Sequence, residues 1–532
     1  MLEVERTYQV DDGFTVPRFD RAAGPSGADR PSGADAGLRS SGARTVELVA
    51  TYYDTEDLRL ARSRVTLRRR TGGKDAGWHL KLPAGRHREE IQRPLGRPHA
   101  IPAELVGLAR SRTRGVALGP VVELRTTRHL MVLTDPAGNK VEVADDTVTA
   151  TRLGATGRQV EAGTSPDAGP TSVRWREVEA ELLEGSEPAV LDAVGSALLA
   201  AGARPADWQS KLARALATTR PAAGSTGSGS TGPGTDRGAA PTATGDVPAV
   251  TDYIAAQVEA IVALDPLVRL GRDDAVHAMR VATRRLRSTL HSFGELYQPD
   301  VSAGLEEDLR ELAAVLGEVR DREVLHARFA AALADQPADV LADVPAETLA
   351  RRLVPGRRTA DRAVVAALDA PPHLALLDRL ETLTGPAALT TTGAAADRTT
   401  LLELAAATWR QLARRMRRLQ IQDGRLPDTA ADVDLHRARK AAKRARYAGE
   451  ALVALAGEPA ELFVDATKQL QQLLGDHQDS VAAREVLLAA RRSGFPAGLL
   501  YRDEQVRAAA ARLAVPAGWK AAHRRKLRRW LR

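Results

Sequence analysis

No cysteine occurs in the 532 residues, which removes disulfide scaffolds, thiolate metal sites and cysteine nucleophiles together. Aromatic residues make up only 4%, so a nucleic-acid surface that stacks bases on many rings has little material. No run of about 18 uncharged apolar residues is present. The opening MLEVERTYQV places charges where a signal peptide needs its apolar core. A cytoplasmic protein that does not enter a membrane is the expectation. What is present is charge: 76 Lys+Arg against 68 Asp+Glu, a net charge of +8, and a pI near 9.8. Arg outnumbers Lys roughly sevenfold, and its planar fork suits phosphate and carboxylate oxygens. A polyanionic partner follows from that balance, whether nucleic acid, phosphate polymer or acidic membrane. With 43% apolar residues, the length supports two to four domains.

The composition changes sharply along the chain. From Thr218 to Asp246 a stretch rich in Gly, Ser, Thr and Pro cannot bury enough apolar surface to offset its ordering entropy, and reads as a flexible linker. A second such stretch, about 18–44, carries PSGAD twice and reads as a disordered insertion between strands. Before the linker the apolar period is two: Val4, Tyr8 and Val10 alternate with Glu3, Glu5 and Thr7. After it the period is helical in long Ala-, Leu- and Arg-rich segments. The expected fold is α+β multidomain, with β structure over 1–216, a linker over 217–247 and an all-α domain over 248–532.

The helical part repeats itself. VHAMRVATRRLRSTL (276–290) resembles LHRARKAAKRARYAGE (435–450), and LGEVRD (316–321) resembles LGDHQD (474–479), in the same order and at nearly the same separation. Two related helical bundles are therefore expected. At about 100° per residue, His277, Arg280, Arg284 and Arg287 share one stripe beside an apolar one. His436, Arg439, Lys443 and Arg446 repeat the stripe, with Lys440, Arg444 and Tyr447 close to it. Neither stretch carries an acid before its end, so like charges repel unless an anion arrives from elsewhere. Asp321 and Asp479 are candidates for orienting the guanidiniums. The paired motifs resemble the CHAD domain, the conserved-histidine α-helical family that binds inorganic polyphosphate. The resemblance implies that His277, Arg280, Arg284, Arg287, His436, Arg439, Lys440, Lys443, Arg444 and Arg446 line a polyphosphate groove. The tail GWKAAHRRKLRRWLR adds further cations between Trp519 and Trp530.

In the β part, alternation puts Glu3 and Glu5 on one strand face and Glu177, Glu179 and Glu181 on another. Cations share faces in the same way: Arg68 with Arg70, His79 with Lys81, and either Arg125 or Arg128. Stacked carboxylates repel unless a cation lies between them, and a hard divalent metal favours oxygen ligands together with phosphates. EVER, YYDT, VTLRRR, WHLKLP, EEIQRPL, VEVADD, EAELLEG and SKLARAL resemble the CYTH domain, the triphosphate tunnel metalloenzyme family. The resemblance implies a closed antiparallel β-barrel whose tunnel binds triphosphate and Mg²⁺ or Mn²⁺. It implies that Glu3, Glu5, Glu179 and Glu181 are catalytic metal ligands, with Glu177 a further acid. It makes Arg68, Arg70, Lys81, Arg88, Arg128 and Lys211 the triphosphate-holding cations.

One position departs from the family signature Glu-x-Glu-x-Lys: Thr7 stands where the lysine belongs, and Arg6 points to the opposite strand face. The expected function is polyphosphate binding by the helical domain with metal-dependent triphosphate hydrolysis in the tunnel, in the cytoplasm or on polyphosphate granules. The alternatives are a non-catalytic polyphosphate binder and an adenylate cyclase. Nucleic acid lacks a groove-reading motif here.

Overall fold

The structure, a computed structural model, describes residues 2–19, 37–84, 87–97, 100–154, 171–208, 210–219, 245–337, 344–427, 429–490 and 494–532, with the single positions 157, 159, 339 and 341. The chain forms two compact units, Met1–Pro233 and Gly234–Arg532. Most of the expected linker (220–244) and much of the expected insertion (20–36) lie outside the described residues. Arg39–Arg44, assigned above to the insertion, instead begin a 16-residue strand.

The first unit is built on ten strands: β1 (Leu2–Glu3), β2 (Glu5–Val10), β3 (Arg39–Asp54), β4 (Thr66–Thr71), β5 (Gly77–Ala84), β6 (His87–Arg93), β7 (Gly119–Thr134), β8 (Lys140–Arg152), β9 (Ser172–Leu182) and β10 (Arg204–Pro205). Their order is β1-β6-β5-β4-β3-β7-β8-β9-β2-β10, every pairing antiparallel. The sheet is thus open in strand order, not the closed barrel the family resemblance implied. The first strand is broken at Val4, so its two pieces pair separately, β1 with β6 and β2 with β9.

Alternation sorts the side chains of this sheet. Tyr8, Val10, Val141, Val143, Val178 and Ala180 form the outer apolar face and pack beneath Val190, Leu191, Val194 and Leu198 of the helix Pro188–Ala200. That helix approaches closely because residue 195 is glycine; a Cβ there would run into the Tyr8 hydroxyl. The alternate residues face the concave side. Part of that side is apolar, where Ala50, Leu124, Val148, Ala150 and Trp175 cluster with Leu212 and Ala215 of the helix Lys211–Thr219. The rest is charged.

The second unit is helical. Its first repeat holds Pro248–Arg269, a basic helix Ala275–Phe293 and a long helix Leu305–Ala334. Its second holds Arg398–Arg418, a basic helix Asp432–Ala451 and a long helix Glu458–Ala489. One core joins them, with Met279, Leu286, Leu290 and Phe293 from the first basic helix and Leu435, Ala438, Ala442 and Ala445 from the second. Alanine at the second set allows close packing while the cationic stripes stay outside the core. Among the described residues, no helix is long and apolar enough to cross a membrane.

Candidate functional site

The concave side of the sheet encloses a cavity of about 370 Å³ lined from β2, β3, β4, β5, β6, β7, β8 and β9 and by Lys211. One wall is acidic by register. Glu5, Glu181 and Glu142 are neighbours across β2, β9 and β8, so three carboxylates stand side by side. One step along, Thr7 sits opposite Glu179. Two residues further on β9, Glu177 lies beside Asp146, which lies beside Arg128 of β7. The other wall carries Arg68, Arg70, Lys81 and Arg88, with Glu90 next to Lys81 at 3.8 Å. Arg68 donates to the Tyr52 hydroxyl at 3.4 Å.

Asp146, Glu177 and Glu179 offer oxygens that all lie within 4.8 Å of one another, the spacing of a set that could hold a metal ion. In this structure they are bridged by cations of the chain itself. Arg128 binds Asp146 through two bonds of 2.8 and 2.6 Å and reaches Glu179 at 2.6 Å. Lys211 places its ammonium 3.0 Å from Asp146 and 2.6 Å from Glu177, and also bonds Glu179. Burial would raise the Glu179 carboxyl, but Lys211 and Arg128 outweigh it and hold the group well below the usual carboxylate range. Burial would likewise lower Lys211; Glu179 and Asp146 reverse that and hold it charged. Glu181 behaves differently: burial and then the Glu5 charge both raise its carboxyl. Among the described residues Glu5, Glu142 and Glu181 have no ion pair. Burial, then Arg68 and Arg128, push the Arg70 guanidinium down to about 10, even though Arg70 is ion-paired with Asp75 and Glu90 pulls the other way.

The helical unit carries a second site. A groove of about 1010 Å³ is lined by both basic helices. Its two halves are related residue by residue. Arg280 lies 3.3 Å from Asp321 and passes over Gly317; Arg439 lies 3.4 Å from Asp479 and passes over Gly475. A side chain at either glycine would meet the guanidinium: a Cβ on Gly317 falls 3.6 Å from Arg280 Nε, and one on Gly475 falls 3.2 Å from Arg439 Nη2. The Nε atoms of Arg280 and Arg439 are buried and lack a hydrogen-bond partner among the described residues. Lys443 lies among Arg284, Arg439 and Arg280; burial and then those three charges push it down to about 6. His277 and His436 are lowered as well, by burial first and then by Arg320 and Lys440 respectively.

The comparisons with known proteins agree with this division. Residues 26–204 match the CYTH domain and residues 252–488 the CHAD domain. Two curated proteins from different strains of Mycobacterium tuberculosis, each described as uncharacterized, are 37% identical over 521 residues, covering 94% of this chain and 93% of theirs. The chain belongs to the family that joins a CYTH domain to a CHAD domain. Among solved structures, PptA from Streptomyces chartreusis is 23% identical, covering 52% of this chain and 100% of its own, with a TM-score of 0.43. The CHAD domain from the plant Ricinus communis is 26% identical, covering 55% and 97%, with a TM-score of 0.41.

In the CYTH unit, Glu5, Glu177, Glu179, Glu181, Arg68, Arg70, Lys81, Arg88, Arg128 and Lys211 all reach one cavity. Glu3 pairs through its backbone with Arg88; its side chain lies outside the described residues. Arg128 is the inward member of its pair, whereas Arg125 is exposed beside Glu123. His79 is buried against Glu90 and the Asp75 carbonyl, so it braces Glu90 from behind. Asp146, Glu142 and Glu90 were not singled out from the sequence. The burial of Val141 and Val143 on the outer face is the signal that would have turned Glu142 and Asp146 inward. In the CHAD unit, nine of the ten expected residues line the groove and Arg446 does not. Arg446 is drawn to Glu450, one helical turn on, at 2.9 Å. The groove also takes Ser288, His291, Arg310, Arg320 and Gln478.

Proposed function

We propose that the CYTH unit hydrolyses a triphosphate, inorganic triphosphate or the end of polyphosphate, and that the CHAD unit binds the polyphosphate chain. The observation that carries the reading is the pairing of opposite arrays in one cavity: the Glu5–Glu181–Glu142 row, which has no ion pair among the described residues, and across from it Arg68, Arg70, Lys81 and Arg88. A phosphate chain adds anionic oxygens to a wall whose four cations outnumber the Asp75 and Glu90 carboxylates beside them, and the acidic row supplies hard oxygen ligands.

The carboxylates present fit Mg²⁺ or Mn²⁺, which when bound supplies neutralisation of the charge developing on the phosphoryl oxygens. Glu5, Glu181 and Glu142 would hold it, with Glu179 and Asp146 adjoining. Arg68 and Arg70 clamp the phosphates, and Tyr52 fixes the direction of Arg68. Arg128 and Lys211, already held by acids, keep those carboxylates ionised and oriented. Leu212 and Ala215 close the apolar side of the interior against water.

In the CHAD unit, Asp321 and Asp479 set the direction of Arg280 and Arg439, while Arg284 and Lys443 have no carboxylate ion pair among the described residues. Such a groove favours a linear polyanion over a carboxylate-bearing protein partner, because its charge is closely spaced and mostly unneutralised. Titration of the full chain with long-chain polyphosphate tests this half: Arg280→Gln with Arg439→Gln is expected to weaken binding at least tenfold, and unchanged affinity overturns it.

A second reading, a binder whose tunnel no longer turns over, is favoured by one observation: Thr7 offers no charge where it faces Glu179. Turnover on triphosphate separates the two.

A further inference from the structure

The groove does not account for the cations at the C-terminus. After the helix Phe495–Ala522, residues Arg525–Leu531 form a 3₁₀-helix. It is fastened by its apolar side chains: Leu531 is buried, and Trp530 packs edge-on against Phe463 with ring centroids 5.5 Å apart. The Arg528 guanidinium lies 5.4 Å from the Trp409 centroid, and His523 stacks on Trp409 and packs at a tilt against Trp519. The rings are therefore spent on the bundle, and what faces outward is charge.

Arg524, Arg525, Lys526, Arg529 and Arg532 are exposed, and Arg417 at the end of the helix Arg398–Arg418 joins them. None of the six has a carboxylate ion pair among the described residues. In a helix of three residues per turn, side chains three apart eclipse, so Lys526 and Arg529 stack in one row with a step of roughly 6 Å, and Arg532 follows directly after the last helical residue. This surface shares no residue with the groove. The chain gains nothing in stability from placing like charges so close, and the Arg528 guanidinium, lowered by burial and then by Arg532 and Arg525, records the repulsion.

Resting on the polyphosphate reading of the groove, we propose that the row Lys526–Arg529–Arg532 is a second docking surface for the same polyphosphate chain, reached only by polymers long enough to occupy the groove as well. Inserting into a membrane requires an exposed apolar face, and Leu531 and Trp530 are turned inward. Single-stranded nucleic acid requires rings free to stack, and these are packed against Phe463, Trp409 and each other. A chain that is charge along its whole length needs neither. Two moderate contacts on one polymer give avidity that neither has alone.

The test compares short and long inorganic polyphosphate binding to the full chain carrying Lys526→Gln, Arg529→Gln and Arg532→Gln, with tryptophan fluorescence verifying that the tail stays docked. Short-chain affinity is expected to match the wild type, while long-chain affinity falls about tenfold. Undiminished long-chain affinity overturns this inference and leaves the groove reading standing. Wild-type affinity for short chains in Arg280→Gln with Arg439→Gln overturns the groove reading instead. Loss of duplex DNA binding with long-chain polyphosphate unaffected also overturns the inference, and assigns the surface to nucleic acid.

Discussion

Thr7 on β2 is the register partner of Glu179 on β9, while Arg6, one residue earlier, turns outward to bond Asp192 on the neighbouring helix. The residue with charge therefore faces away from the cavity and the residue without it faces in. Glu179 is satisfied from the far side, by Arg128 and Lys211. A lysine at position 7 would add a mobile cation to the cavity beside Glu179. Thr7→Lys is expected to raise triphosphate hydrolysis about tenfold or more, the scale on which a single charge aimed at a developing oxyanion acts. A rate equal to or below that of the wild type contradicts this placement.

Lys211 holds three carboxylates at once, of which Asp146 is fully buried. Replacing it with methionine keeps the side-chain bulk and removes the charge, which leaves buried acids short of a partner and should cost about 3–5 kcal/mol. The sign with pH follows from Glu179. Its folded pKa is depressed, so the stability it contributes is present above its unfolded value and is lost as pH falls through the folded one. The gap between wild type and Lys211→Met should therefore be largest near neutrality and narrow below about pH 4. Urea unfolding of the full chain at several pH values measures it; equal stability at neutral pH is the contrary result.

Lys443 titrates near 6 in the folded chain, against about 10.4 for an unperturbed lysine. Between those values the unfolded chain binds a proton that the folded chain does not, so this residue makes stability rise with pH over that window. A polyanion in the groove supplies the missing counter-charge and reverses the shift. Polyphosphate binding at pH 8 should take up protons and weaken as pH rises further, with Lys443→Met removing the uptake. Titration calorimetry in buffers of different ionisation heat reads it directly; buffer-independent heat for the wild type is the opposing outcome.

Gly475 and Gly317 give a test in which stability and binding move apart. Both are helical, so alanine should stabilise each by up to about 1 kcal/mol. At Gly475 the new methyl lies 3.2 Å from Arg439 Nη2 and must displace it; at Gly317 the nearest guanidinium atom is 3.6 Å away, an ordinary contact. Gly475→Ala should bind polyphosphate several-fold more weakly without loss of melting temperature, and Gly317→Ala should bind as the wild type does. Equal binding by both shows that the glycine does not set the position of Arg439.

The sequence was most informative where periodicity and charge coincided. Alternation alone put Thr7 inside and Arg6 outside, and the repeat alone paired Arg280 with Arg439 and Asp321 with Asp479. Arg125 and Arg128 stayed undecided because they lie an odd number of residues apart, and only strand pairing to Asp146 selects between them. Asp146 itself was hidden because it follows Asp145, which faces outward to Arg176. Arg446 has the right angle on its helix and fails through a local partner, Glu450, that a helical projection does not weigh. Arg320 and Gln478 enter the groove from the long helices, a contact no local pattern encodes.

The most direct test is phosphate release from inorganic triphosphate with Mg²⁺ or Mn²⁺, comparing the wild type with Glu5→Gln and Glu179→Gln, each confirmed to be folded. Metal-dependent release by the wild type, abolished in both variants, is what a working tunnel with Thr7 predicts. Absence of release under either metal, with polyphosphate still bound, contradicts it and leaves a binding protein.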